Sequence, residues 1–309
     1  MQNVVKLLSI LLLASSMVCV VFISCKKDKD PKSEGVLNLT AINKNTSQVV
    51  CMALAPMEKK TFSIDCHVYA STILDTKNKI FGYLDCNNNY SLIDVETGTE
   101  IKRFSLPKTI ITVVVDTIRN VIIGHYLVNK DDDPSWTNHT SHVLTVNLGN
   151  GNIVSDKQFY VGGTWNATIY FFRDFENEYV VMKDDELLFV NPSTGTVIKT
   201  LKLLENEITN GVYDRNNNRL IGLVNLYEIN EKYIVTIDLN TGKTLHKVIA
   251  KGLDSYYANE MDYDAETNSY ILVSDKNEVL FFDVETGKLN EKHQLDFELT
   301  SLKVWRSNK

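Results

Sequence analysis

Ile93-Asp94-Val95-Glu96-Thr97-Gly98 returns with the same grammar three more times. The copies are Val190-Asn191-Pro192-Ser193-Thr194-Gly195, Ile237-Asp238-Leu239-Asn240-Thr241-Gly242 and Phe282-Asp283-Val284-Glu285-Thr286-Gly287. Weaker copies stand at Val146-Asn147-Leu148-Gly149-Asn150-Gly151 and Ile42-Asn43-Lys44-Asn45-Thr46-Ser47. The Asp or Asn positions are 43, 94, 147, 191, 238 and 283, spaced by 51, 53, 44, 47 and 45 residues. The chemistry is that of a turn. A carboxylate or amide oxygen accepts from backbone N–H groups two residues on, and Gly permits the positive φ at which the chain reverses.

Working outward, short β-branched and aromatic runs flank these turns. Residues 186–190, 233–237 and 279–282 come before, and 197–201 and 244–249 come after. A second turn motif alternates with the first. It is seen at Asp75-Thr-Lys-Asn78, Asp116-Thr-Ile-Arg-Asn120, Asp174-Phe-Glu-Asn177, Asp214-Arg-Asn-Asn217 and Asp264-Ala-Glu-Thr-Asn268, each ahead of an apolar run. A unit therefore reads as four antiparallel strands in roughly 45 residues, which is the signature of a propeller blade. No sustained helical period occurs beyond the N-terminal segment.

The ends set the blade number. After Gly287 come two strand-like segments, 291–295 and 300–305, the second reading as the innermost strand of an unfinished blade. Residues 36–42 and 48–54 read as outer strands of a blade lacking its start. Joining the two closes the ring and removes exposed sheet edges. The expectation is an all-β propeller of about six four-stranded blades over residues 36–309, one of them composite, with three or four strands. Seven blades is the alternative if residues 51–75 hide extra pairing.

Once the units are laid out, the Ile-Asp-x-x-Thr-Gly-Lys pattern resembles YVTN-type and PQQ-like propeller repeats. That resemblance implies architecture more than activity, because such repeats serve enzymes, scaffolds and binding proteins alike. True quinone-binding repeats carry a Trp shortly after the turn. Residues 100–104, 196–200 and 243–248 hold none, and Trp136, Trp165 and Trp305 lie elsewhere, so no cofactor is expected.

The N-terminus reads separately. Lys6 precedes an uncharged apolar run, Leu7 to Ser24, and Phe22-Ile23-Ser24-Cys25 closes it. A small residue before Cys at the end of such a run reads as a processed signal, and the tetrapeptide resembles a lipobox. Residues 1–24 are read as a signal peptide, Cys25 as the lipidated first mature residue, and residues 25–35 as a polar tether. The Ser-Cys-Lys-Lys-Asp start resembles lipoproteins of the Bacteroidetes, which implies an outer-membrane location, periplasmic or surface-exposed. The chain of 309 residues carries a net charge of −7, and loss of residues 1–24, with Lys6 and no acid, leaves −8. Phosphate backbones repel such a chain, so a nucleic-acid partner is not expected. Cys51, Cys66 and Cys86 remain, as one disulfide plus a thiol or as three unpaired residues.

Chemistry-bearing motifs are sparse. Asp85-Cys-Asn87-Asn-Asn89 with Glu96 has calcium-loop spacing, but Tyr90 occupies the place where the loop needs Gly, and a hairpin turn is the reading preferred. Asp131-Asp132-Asp133 reads as a solvated loop, and no metal site is assigned. No Ser/His/Asp set can be built from the spacing, and no catalytic residue is assigned. Counting back from the Asp…Asn turns places His67, Trp165, Asn166, Asn210, Asn259 and Glu260 at the mouth of the central channel, with Tyr256 and Tyr257 nearby. Amides, one acid and aromatics suit a glycan or a peptide, and ordered water in a polar channel is the simplest single reading. The expectation is a non-catalytic envelope lipoprotein that binds a ligand or protein partner. The alternatives are a lactonase- or lyase-type enzyme at the channel mouth and an outer-membrane assembly scaffold.

Overall fold

A computed structural model describes residues 36–54, 57–64, 68–75, 79–129, 139–161, 169–205, 208–226, 231–253 and 260–307. Three strands open the chain: β1 (Val36–Asn43), β2 (Gln48–Leu54) and β3 (Met57–Ser63). Four complete sets follow. These are β4 (Val68–Asp75), β5 (Ile80–Asp85), β6 (Asn89–Asp94) and β7 (Glu100–Ser105); then β8 (Thr112–Asp116), β9 (Val121–Asn129), β10 (His139–Asn147) and β11 (Ile153–Val161). Next come β12 (Tyr170–Arg173), β13 (Glu178–Lys183), β14 (Glu186–Val190) and β15 (Val197–Lys202); then β16 (Ile208–Asp214), β17 (Arg219–Leu226), β18 (Glu231–Asp238) and β19 (Thr244–Ile249). A fifth set, β20 (Glu260–Asp264), β21 (Ser269–Val273), β22 (Glu278–Asp283) and β23 (Leu289–Gln294), leads to the last strand, β24 (Leu299–Ser307). The described residues contain no helix.

The strands form six four-stranded sheets. Five are consecutive meanders, and the first has the order β24-β1-β2-β3. The C-terminal strand therefore lies beside the N-terminal one, and the composite blade is complete, because β3 supplies the fourth strand. Among the described residues of 51–75, every strand belongs to blade 1 or blade 2, and none forms a seventh blade. We number the blades 1 to 6 from β1. Their innermost strands, β24, β4, β8, β12, β16 and β20, touch one another in a closed circuit. The chain is a six-bladed β-propeller, all-β as the repeats imply.

Apolar residues alternate along the middle strands and face the adjoining blades. Six apolar clusters result, one at each junction of two blades. Leu39, Val50, Ile271 and Phe281 pack between blades 1 and 6, and Ile42, Cys51, Phe81 and Ile93 between blades 1 and 2. Val180, Phe189, Leu220 and Val235 fill the junction of blades 4 and 5. Three further clusters complete the circuit. Trp305 adds a polar stitch at the closure, donating from Nε1 to Thr40 Oγ1 at 3.0 Å.

The Thr-Gly turns join the third and fourth strands of blades 2 to 6. Asp94 Oδ1 accepts from Glu96 N at 2.8 Å and Thr97 N at 2.9 Å, and Asp283 and Asn191 repeat the pattern. The Gly does more than turn. Gly287 has φ of 66°, and a Cβ there would lie 2.1 Å from Ile249 O on the outer strand of the preceding blade. Gly98, Gly151, Gly195 and Gly242 likewise rest against Phe62, Phe104, Gln158 and Lys202 of the blade before. Each turn is thus also a blade-to-blade contact.

Two turn assignments shift. Asn43 caps Asn45 N and Thr46 N as expected. Its turn, however, joins the second and third strands of blade 1, on the opposite face from the Thr-Gly turns. In blade 4 the αL residue is Asn177. The place held by Asp116, Asp214 and Asp264 in the other described turns, four residues earlier, is therefore Arg173 and not Asp174. Of the cysteines, Cys86 is disulfide-bonded and Cys51 is a buried free thiol, which removes the reading of three unpaired residues. The partner of Cys86 lies outside the described residues.

Candidate functional site

The inner strands all start on one face, reached by the connections between blades. Of the residues assigned to that mouth, His67, Trp165, Asn166 and Asn259 lie outside the described residues, as do Tyr256, Tyr257 and Cys25. Asn210 and Glu260 are described, and both are half-buried. Asn210 is the third residue of β16 and sits in the left-handed region with φ of 53°, where the pairing with β17 shifts register between Thr209 and Val212. Ser301, third in β24, makes the same excursion with φ of 62°.

This kink turns Asn210 toward blade 6. Its carbonyl oxygen accepts from the hydroxyl of the buried Tyr270, and its amide Nδ2 lies 3.8 Å from Met261 Sδ. Met261 adjoins Glu260, so the fold brings the two described mouth residues to neighbouring inner strands at the same end. Tyr179 occupies the place of Tyr270 in blade 4 and shares a 2.5 Å hydrogen bond with Thr112 of blade 3. The tyrosine thus joins a blade to the inner strand of the blade before it.

Asp262 was not singled out from sequence. It lies two residues along β20 from Glu260, so the two acids share one side of the strand. Its Oδ2 accepts from Val304 N of β24 at 2.7 Å. Desolvation pushes its carboxyl above the usual range, against the pull of Lys303. The equivalent places in three other inner strands hold Val114, Phe171 and Val212. Aligning the repeats would have exposed the departure, since an acid stands where the others present an apolar side chain.

The far ends of the inner strands carry a belt of ion pairs. Arg219 Nε binds Asp214 Oδ2 at 2.6 Å, and its Nη2 reaches Tyr263 and Asn268 of blade 6 at 3.0 and 2.6 Å. Arg306 Nη2 meets Asp264 at 2.5 Å. Arg173 reaches Asn218 of blade 5 at 3.2 Å, and Arg119 reaches the Asp174 carbonyl of blade 4 at 3.1 Å. Burial works to raise the Asp214 carboxyl, but hydrogen bonds from Asn217 and Arg219 and the Arg219 charge outweigh it and hold it below the usual range. The belt is structural in character.

The remaining motifs read as structure. Asp85 accepts from Asn87 N and Asn89 N at 2.9 and 2.8 Å and from Arg103 Nη2 at 2.6 Å. Glu96 lies at the far end of β6 from Asp85, ion-paired with Lys79. No group of three or more metal-ligating side chains converges among the described residues.

No protein-family model and no curated protein sequence matches this chain. In shape it matches 1360 chains of solved structure, and a fold shared so widely leaves function to the site. One match is Kuenenia stuttgartiensis hydrazine synthase, with TM-score 0.54 and 11% identity over 85% of this chain and 80% of that chain. At that identity the likeness is one of fold alone.

Proposed function

We propose that this chain is an outer-membrane lipoprotein, anchored through Cys25, whose propeller binds a glycan, a peptide or an envelope protein at the mouth of its central channel without catalysis. The N-terminal resemblance to Bacteroidetes lipoproteins and the YVTN- and PQQ-like repeat pattern support the setting. The observation that carries the binding site is the acidic side of β20, where Glu260 and Asp262 share the side that meets β24, while Asn210 of β16 lies against Met261 on the other side of the same strand. A desolvated acid held at a place where sister strands are apolar costs stability, and binding sites are where such costs are retained.

The test is thermal unfolding with and without glycan and peptide pools, for wild type, Glu260→Ala and Asp262→Asn. Ligand-induced stabilisation should disappear in Glu260→Ala while its unliganded transition stays within about 0.5 kcal/mol of wild type. Stabilisation that survives both substitutions moves the site away from this mouth. The two carboxylates on one side of β20, Glu260 and Asp262, give a second reading, a lactonase- or lyase-type enzyme. Turnover of lactone or uronate substrates by wild type, abolished in Asp262→Asn, would select it.

A further inference from the structure

We propose that the propeller meets the membrane with the face that carries the turns between first and second strands, placing Ile118 and Phe175 at the lipid surface. The inference rests on the lipid anchor at Cys25 proposed above. Three observations on the described fold lead to it.

The first is where the chain joins the propeller. Lys44 N, just after β1, donates to Glu298 O, just before β24, at 3.0 Å, so the end of β1 lies at the start of β24. Arg306, near the end of β24, pairs with Asp264 and Glu266 in the first turn of blade 6. The chain therefore enters β1 on the face of those turns. The second is what that face exposes. Ile118 and Phe175 sit on the corresponding turns of blades 3 and 4, with exposures of 68% and 74%.

The third is that the pair is held in place. Asp116 caps Ile118 N and Arg119 N, and Arg119 ties its turn to the Asp174 carbonyl. Arg215 pairs with Asp174 and lies 4.6 Å from the Phe175 ring centroid. Large apolar side chains pinned outward beside arginines, whose stems lie along apolar surface while the heads stay in water, suit the boundary between acyl chains and headgroups.

Leu204, on the opposite rim, is as exposed at 73%, so exposure alone does not choose the face. The point of entry does. From Cys25 to Val36 is eleven residue steps, which reach at most about 36–40 Å. Climbing the length of an eight-residue strand such as β1 takes about 26 Å of that reach, before any distance across the blade. Entry on the turn face therefore selects that face for the bilayer.

The full-length acylated protein, reconstituted in phosphatidylethanolamine–phosphatidylglycerol vesicles, tests the assignment. Fluorophores on Thr117→Cys and Asn216→Cys report the turn face and leave Ile118 and Phe175 intact, and one on Lys276→Cys reports the opposite rim. Spin-labelled phospholipid should quench the first two by about threefold or more over the third, since interfacial side chains reach about 5–10 Å into the headgroup boundary. Ile118→Asp with Phe175→Asp should reduce that quenching. Equal quenching at all three positions, or stronger quenching at 276, overturns the assignment. Flotation of wild type and Cys25→Ala separates the two proposals. If only wild type floats and the turn face is unquenched, the anchor stands and the face is wrong. If wild type does not float, the anchor fails and the orientation fails with it.

Discussion

His125 shows how one buried side chain sets a pH limit. Burial lowers its pKa from 6.5 to about 4, and the charge of nearby His139 works in the same direction. Above pH 6.5 the ring is neutral in both folded and unfolded chains, and its contribution to stability is fully present. As pH falls from about 6.5 to about 4, the unfolded chain takes up a proton that the folded chain refuses, so stability is lost over that window. The loss is roughly 3 kcal/mol by pH 4. Denaturant melts at pH 7 and pH 4 should show a smaller difference by about that amount in His125→Gln. An unchanged difference would mean that other groups carry the acid limb.

The Thr-Gly turn is the element on which the repeat depends, and its two duties can be separated. Gly287 needs a positive φ, and its Cα also rests on the Ile249 carbonyl, where a Cβ would lie 2.1 Å away. Gly252 has φ of 90°, yet the nearest atom to a Cβ there is Leu289 Cδ2 at 3.8 Å. Gly252→Ala should cost about 1 kcal/mol from backbone strain alone. Gly287→Ala should cost about 3 kcal/mol, because the blade junction must also open. Thermal denaturation of the two variants gives the comparison, and equal costs would reduce the repeated geometry to turn chemistry. From one sequence the glycine is legible as a turn residue. Its second role is not, because the atom it meets belongs to the preceding blade, some forty residues away.

The ring is closed by β24, which contributes Leu299 and Leu302 to the junction of blades 6 and 1, Trp305 to Thr40 and Arg306 to Asp264. Deleting residues 300–309 leaves blade 1 with three strands and bares the edge of β1. The variant should aggregate or lose its cooperative unfolding transition. Size-exclusion chromatography with a melting scan checks this, and an unchanged transition would mean that the ring does not depend on its closing strand.

The sequence by itself determined the strand content, the four-strand unit, the Asp-capped turns and the sharing of one blade between the two ends. All of these rest on local chemistry or on its repetition, since a side chain capping its own turn needs only neighbours two or three residues away. Asn43 and Asp174 mark the limit of that reading. Both sit in turn-like runs, but which strands a turn joins, and which residue takes the αL place, depend on pairing across the blade. Tertiary structure alone decided that Arg173 replaces the turn aspartate, that β3 completes blade 1, and that Asn210 comes against Met261, between Glu260 and Asp262 in β20. Contacts between inner strands are set by the closing of a ring, and ring closure brings together residues that no local spacing relates.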